Sequence, residues 1–346
     1  MKKYRLIFLA VALSLTFLIS PFGWAEPIVL KSLAITPPPA SLSKTFDAYL
    51  DEVEKRTNGE VKFERYYSSA LAKPPEMLDA CGIGIFDIFT SVAGYYPGKM
   101  PLALVFSIPG SYEHAWVASM ALLDLYKTVP AMEKELEKNN VKYVAAWTTG
   151  PFYLLTKKKV QSLEELRGLK IRATALSANL AKALGAVPVA MDYTEAQTAL
   201  SRGVIDGGIF SPDAVMSFGL NEAAKFIWKV NVGGGTNPIL INLDKWKSLP
   251  GDIQKIMLEA GEDFSVINEE LYQIKGDNAA LEKMKQAGLT ITEPTAELQE
   301  QIRKIAKEEI WYQQAKKLDA RGLPGTQVLE AYIELLEKYK PQCPFN

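Results

Sequence analysis

Two rhythms of apolar residues alternate along the first two thirds of the chain. Ile28-Val-Leu-Lys-Ser-Leu-Ala-Ile35 is a short apolar run that predicts a buried strand, and Pro37-Pro38-Pro39 ends it. Leu42, Phe46, Tyr49, Leu50 and Val53 then recur at helical spacing until Asn58-Gly59. Val61–Tyr67 reads as a strand, Pro75–Ala80 as a helix and Ile85–Ser91 as a strand. The order recurs later as strand Leu169–Ala173, helix Ser177–Leu184, strand Val187–Met191, a helix ending at Gly203, and strand Val204–Phe210. Thr194-Glu-Ala-Gln197 has the form of a capping box and places the start of that last helix. Alternating strands and helices predict an α/β fold with a mostly parallel sheet.

The two stretches echo each other. Glu76 leads into Gly84-Ile85-Phe86-Asp87, and Glu195 leads into Gly203-Val204-Ile205-Asp206, with 11 residues from Glu to Asp in both. That spacing fits a short helix passing through glycine into a strand, and suggests two similar lobes.

The last third changes character. Ile253, Ile256, Met257, Ala260, Phe264, Ile267, Leu271, Ile274, Leu281 and Met284 keep one apolar face between Pro250 and Gly288. A continuous helix there would be on the order of 55 Å long, enough to bridge two lobes, with Gly276 a point where it could kink or split. Two further helices are expected near 295–320 and 325–339.

Composition narrows the classes. With 48% hydrophobic and 23% charged residues, the chain of 346 residues is an ordinary globular one. Its 39 basic against 40 acidic residues give no electrostatic footprint for nucleic acid. Lys2, Lys3 and Arg5 precede a 14-residue apolar run, Leu6–Ile19, and then Gly23-Trp24-Ala25. This reads as a secretory signal cleaved before Glu26, too short to span a bilayer. Its removal leaves 36 basic and 40 acidic residues, a net charge of −4. In an exported chain Cys81 and Cys343 could form a disulfide or remain two free thiols.

Enzyme motifs are scarce. His114 is the single histidine, at the expected start of a helix. Gly233-Gly234-Gly235 runs into Thr236-Asn237-Pro238, so it satisfies neither the P-loop nor the GxGxxG pattern and reads as a turn. No G-x-S-x-G elbow is present, and no CxxC pair suggests a metal. Arg172 closes a predicted strand, the end where open α/β sheets bind ligands. Its planar fork could grip a carboxylate, although a surface ion pair is the commoner fate of such a residue.

Val160-Gln-Ser-Leu-Glu-Glu-Leu-Arg-Gly-Leu-Lys-Ile-Arg172 resembles the signature of the DctP-type solute-binding subunits of TRAP (tripartite ATP-independent periplasmic) transporters. So do Leu184-Gly-Ala-Val-Pro-Val-Ala-Met191 and Glu195-Ala-Gln-Thr-Ala-Leu-Ser-Arg-Gly-Val-Ile-Asp-Gly207. Arg56-Thr57-Asn58-Gly59, Tyr95-Tyr96-Pro97-Gly98-Lys99-Met100-Pro101 and Trp246-Lys-Ser-Leu-Pro250 extend the resemblance over the mature chain, in order. It implies a two-lobe periplasmic fold with a central cleft and a long bridging helix. Lobe I would comprise 26–149 plus 236–275, and lobe II 150–235 plus 276–346. It also implies that Arg172 binds the solute carboxylate, that the protein is a non-enzymatic monomer without cofactor or metal, and that it delivers an organic anion to TRAP membrane permease subunits. A secreted enzyme using the same cleft, or an ABC-type or sensor receptor, is the alternative.

Two positions depart from the sialic-acid-binding members of that family. Phe152 stands where they have a second arginine, and Phe210 where they have an asparagine. Both changes replace polar contacts by aromatic area. The expected ligand is therefore a hydrophobic or aromatic monocarboxylate, with Phe152, Phe210, Trp147 and Tyr95 as an aromatic box beside Arg172.

Overall fold

A computed structural model describes residues 26–345. The predicted leader and its cleavage point lie outside the described residues. The strands are β1 (Ile28–Ala34), β2 (Val61–Tyr67), β3 (Ile88–Thr90), β4 (Val141–Thr148), β5 (Tyr153–Thr156), β6 (Lys170–Arg172), β7 (Val187–Val189), β8 (Gly207–Phe210), β9 (Phe226–Trp228), β10 (Thr236–Asn242) and β11 (Thr290–Thr292). They form two sheets, ordered β2-β1-β3-β10-β4 and β11-β9-β5-β8-β6-β7.

Each sheet is mostly parallel, with one strand running against the rest. In the first, β1 runs parallel to both β2 and β3, and β10 lies antiparallel between β3 and β4. In the second, β6 runs parallel to both β7 and β8, and β5 lies antiparallel between β8 and β9. The antiparallel strands arise where the chain crosses between sheets: β4 leads into β5 across Thr149–Phe152, and β9 returns to β10 through the triple-glycine segment.

The long apolar face forms helix without a break from Gly251 to Gln286. Its first part, Gly251–Asn268, packs on β4 and on the helix Ser41–Arg56, where Tyr49 and Phe264 meet edge to face at 5.5 Å. Its last part, Ala279–Gln286, packs on the helix Pro212–Ser217 beside the second sheet. The join, Glu269–Asn278, is wound wider as a π-helical stretch. Gly276 does not split the helix. It admits a neighbour instead: a Cβ there would lie 3.0 Å from Ser41 Oγ.

The C-terminal segment, expected in lobe II, divides its packing between the two sheets. Ala296–Ala306 lies against the helix Ala175–Ala183 of the second sheet, but Gly325–Tyr339 packs on Ala115–Thr128, over the first. Tyr332 and Tyr339 carry it there, with rings 5.4 Å from Phe106 and 6.0 Å from Trp116. Cys81 and Cys343 are separate, buried free thiols. Among the described residues no helix is long and apolar enough to cross a membrane.

Candidate functional site

A cavity of about 260 Å³ opens between the two sheets. Its wall is built from the segments that follow the parallel strands: Ile35–Pro37 after β1, Val92–Tyr95 after β3, Arg172 at the end of β6, Asp192 and Tyr193 after β7, and Ser211 and Asp213 after β8. The crossing segments and the start of β10 supply Thr149, Phe152, Val232, Gly234, Gly235 and Asn237. The carboxyl ends of β1, β3, β6, β7 and β8 thus point to one place, where open α/β sheets bind ligands.

Arg172 is only 4% exposed. Among the described residues no carboxylate comes within ion-pair distance of it. Two backbone carbonyls hold the guanidinium instead: Nε donates to Met191 O at 3.1 Å and Nη1 to Ile209 O at 3.4 Å. Its plane is backed by two rings, with Cζ 4.2 Å from the Tyr193 centroid and 5.4 Å from that of Phe210. Such cation–π contacts contribute about 0.5–2 kcal/mol each. The fork is therefore fixed before any ligand arrives, with N–H groups left to donate. Arg172 is also the sole lysine or arginine lining the cavity among the described residues.

The room for that arrangement comes from Gly208, which pairs with Arg172 across β6 and β8. A Cβ on Gly208 would lie 2.3 Å from the Phe210 ring and 3.0 Å from Arg172 Cβ. No side chain fits there.

The expected aromatic box divides. Tyr95 and Phe152 line the cavity. Burial, and then the neighbouring Asp192 and Tyr193, push the Tyr95 phenol up to about 12 against the opposing pull of Arg172, so it stays protonated at neutral pH. Phe210 and Trp147 are not among the residues that line the cavity. Phe210 is buried in the core of the second sheet, behind Arg172 and Tyr193, and its ring backs the guanidinium. Trp147 is fully buried in the core under the first sheet, where its Nε1 donates to Thr90 Oγ1 at 3.0 Å and its ring lies 5.1 Å from Tyr272.

Other wall residues escaped the sequence reading. Tyr193 and Phe218 stack at 5.5 Å and complete the aromatic side of the cavity. Tyr193 opens its helix, Tyr193–Ser201, ahead of the Thr194–Gln197 capping box, so the box does not mark the start. Asp192 and Asp213 bring two carboxylates to the wall. Ser41 Oγ donates to Asp213 Oδ1 at 2.9 Å, a bond that joins the two sides of the cleft. His114 is outside the cavity lining: it precedes the helix Ala115–Thr128, with Nδ1 3.1 Å from Glu269 Oε1.

Residues 35–317 match the family model described as bacterial extracellular solute-binding protein, family 7 (DctP). The C4-dicarboxylate-binding periplasmic protein DctP of Rhodobacter capsulatus is 29% identical over 289 residues, covering 81% of this chain and 84% of that protein. A TRAP solute-binding protein from Rhodoferax ferrireducens, solved with copurified benzoate, superposes with a TM-score of 0.83 at 25% identity, over 91% of this chain and 99% of the other. A marine metagenome TRAP solute-binding protein specific for aromatic acid ligands, solved with 3-hydroxybenzoate, gives a TM-score of 0.82 at 28% identity, again over 91% and 99%. The sheet architecture, the cleft and the sequence match agree: the chain belongs to the DctP-type solute-binding proteins of TRAP transporters.

Proposed function

We propose that this receptor captures a monocarboxylate with a flat apolar or aromatic body and passes it to TRAP membrane permease subunits. The observation that carries the reading is Arg172, a buried guanidinium that among the described residues has no acidic partner and is the one cation of a largely apolar and aromatic cavity. A buried charge without a counter-charge is costly, by several kcal/mol, and a ligand carboxylate on the free edge of the fork offsets that cost.

The same inventory argues against a second carboxylate. The Rhodobacter relative is named for C4-dicarboxylates. In this cavity Phe152 takes the place of a further arginine, and the other charged groups on the wall are Asp192 and Asp213. A dicarboxylate would set its second charge among rings and acids. Tyr95, Phe152, Tyr193 and Phe218 offer ring faces and edges to an aromatic body, with aromatic pairs contributing roughly 0.5–1.5 kcal/mol beyond area burial.

Binding acts through the two-sheet geometry. The ligand touches groups from both sheets, so bringing them together removes water from around the carboxylate and strengthens its bond to Arg172. The bridging helix, continuous from Gly251 to Gln286, spans both sides and sets the axis of such a closure.

A thermal-shift and calorimetric panel of indole-3-acetate, phenylpyruvate, phenylacetate, succinate, malate and a sugar acid tests the reading. Aromatic monocarboxylates should raise the melting temperature with concentration, as a ligand that binds only the folded state must. Micromolar binding of succinate, malate or the sugar acid with no response to any aromatic acid would overturn it.

A further inference from the structure

One polar side chain of the cavity has no structural employment. Asn237 lies in β10, 1% exposed, with its Cα opposite Trp147 of β4, and it lines the cavity on the first-sheet side. Neither its Oδ1 nor its Nδ2 has a hydrogen-bond partner among the described residues. A buried amide left in that state is costly, and asparagine is a poor strand former, so neither local structure nor packing accounts for it.

The same strand supplies the contrast. Asn242 is also buried, but its Nδ2 donates to Cys81 O at 2.8 Å and Gly82 O at 3.1 Å, and its Oδ1 accepts from Lys245 N–H at 2.8 Å. That is an asparagine doing structural work. Three hydroxyls of the wall resemble Asn242. Thr149 Oγ1 donates to Gly150 O and accepts from Gly235 N–H, Ser211 Oγ caps the backbone N–H of Ala214, and Ser177 Oγ donates to Thr174 O. Asn237 alone among these keeps both a donor and an acceptor uncommitted.

We infer that Asn237 is a specificity residue that reads a hydroxyl group on the ligand, set apart from the carboxylate that Arg172 holds. A hydroxyl accepts from Nδ2–H and donates to Oδ1, matching both orphan atoms at once. A second carboxylate would only accept, and would bring an unmatched charge. The inference rests on the proposed function, because it takes Arg172 as the carboxylate end of the same ligand.

The test is calorimetry on the wild-type mature chain with phenylacetate, its three ring-hydroxylated isomers and mandelate. At least one hydroxylated acid should bind roughly tenfold or more tightly than phenylacetate, a difference of about 1.4 kcal/mol. In Asn237→Ala that ratio should fall below about threefold, and Asn237→Ser, a smaller donor and acceptor, should restore part of it. If wild type binds phenylacetate as tightly as every hydroxylated acid, the inference is wrong even when the variants fail to fold. If Asn237→Ala keeps the full ratio, it is wrong as well. Arg172→Leu separates the two claims. Loss of all binding in that variant without a hydroxyl contrast in wild type removes only the role of Asn237. Undiminished phenylacetate binding in Arg172→Leu, or no binding of any of these acids to wild type, removes the proposed function, and the inference with it.

Discussion

The two sheets solve the same local problem with different residues. In the first, Asp87 precedes β3: its N–H donates to Lys31 O at 2.9 Å and its Oδ2 accepts from Lys31 N–H at 2.8 Å. In the second, Asp206 precedes β8 and repeats both bonds with Lys170, at 2.8 and 2.9 Å. Two residues beyond each lysine the frames diverge. Leu33 pairs with Phe89, both buried in the core. Arg172 pairs with Gly208. One position thus holds an apolar pair in one lobe, and in the other a cation facing a gap cut for it. The shared aspartates define the frame, and the difference in charge between the two frames is confined to the exchanged pair.

The largest effect should come from undoing that exchange. Arg172→Leu installs the residue of the first lobe, should fold, and should cost at least about 2 kcal/mol of carboxylate binding, the range for truncating a buried charge pair. Arg172→Lys should also bind poorly, because a point charge does not replace the fork. Gly208→Ala should come next. The added methyl meets the Phe210 ring, and overpacking of this kind costs about 1–3 kcal/mol of stability. It should also weaken binding by displacing Arg172, whereas Phe89→Leu in the first lobe should leave affinity unchanged; denaturant melts and titrations check both.

The frame itself predicts symmetry. Asp87→Ala and Asp206→Ala should each lower stability by about 1 kcal/mol through a lost side-chain bond to a backbone N–H. Unequal losses in urea melts would show that the two frames are not equivalent.

The smallest effect is expected at the seam. Asp277, in the wide-turn stretch of the long helix, is buried, and its Oδ1 accepts the Asp213 N–H at 3.0 Å. Burial raises its pKa well above the ordinary 3.8, opposed by that bond and reinforced by Asp213 and Glu269. The folded state therefore keeps a proton that the unfolded state loses near 3.8. The associated stability is full below that value and is lost as the pH rises through the raised one. Relative to wild type, Asp277→Asn should gain stability from acid toward alkaline pH, and melts across that range check the sign.

Much of this was visible in the chain. The Glu-to-Asp echo, the long helix and the position of Arg172 at a strand end all follow from spacing, and the structure bears them out as geometry. The aromatic box was half legible. A strand exposes two faces, and nothing in Ala146-Trp147-Thr148 or Ile209-Phe210-Ser211 tells which of them meets the cleft; Trp147 and Phe210 both turned inward. Tyr193 was hidden beside a capping box two residues too late. Asn237 was hidden in a turn reading, because an orphan amide becomes visible only when every neighbour's bonds are known.

The most direct measurement is isothermal calorimetry of wild type and Arg172→Leu against one pair of acids, phenylacetate and succinate. Wild type should bind phenylacetate and not succinate, and Arg172→Leu, while keeping its cooperative melt, should bind neither. Succinate held more tightly than phenylacetate by wild type, or phenylacetate held equally well without Arg172, would contradict a cavity built around a single buried cation.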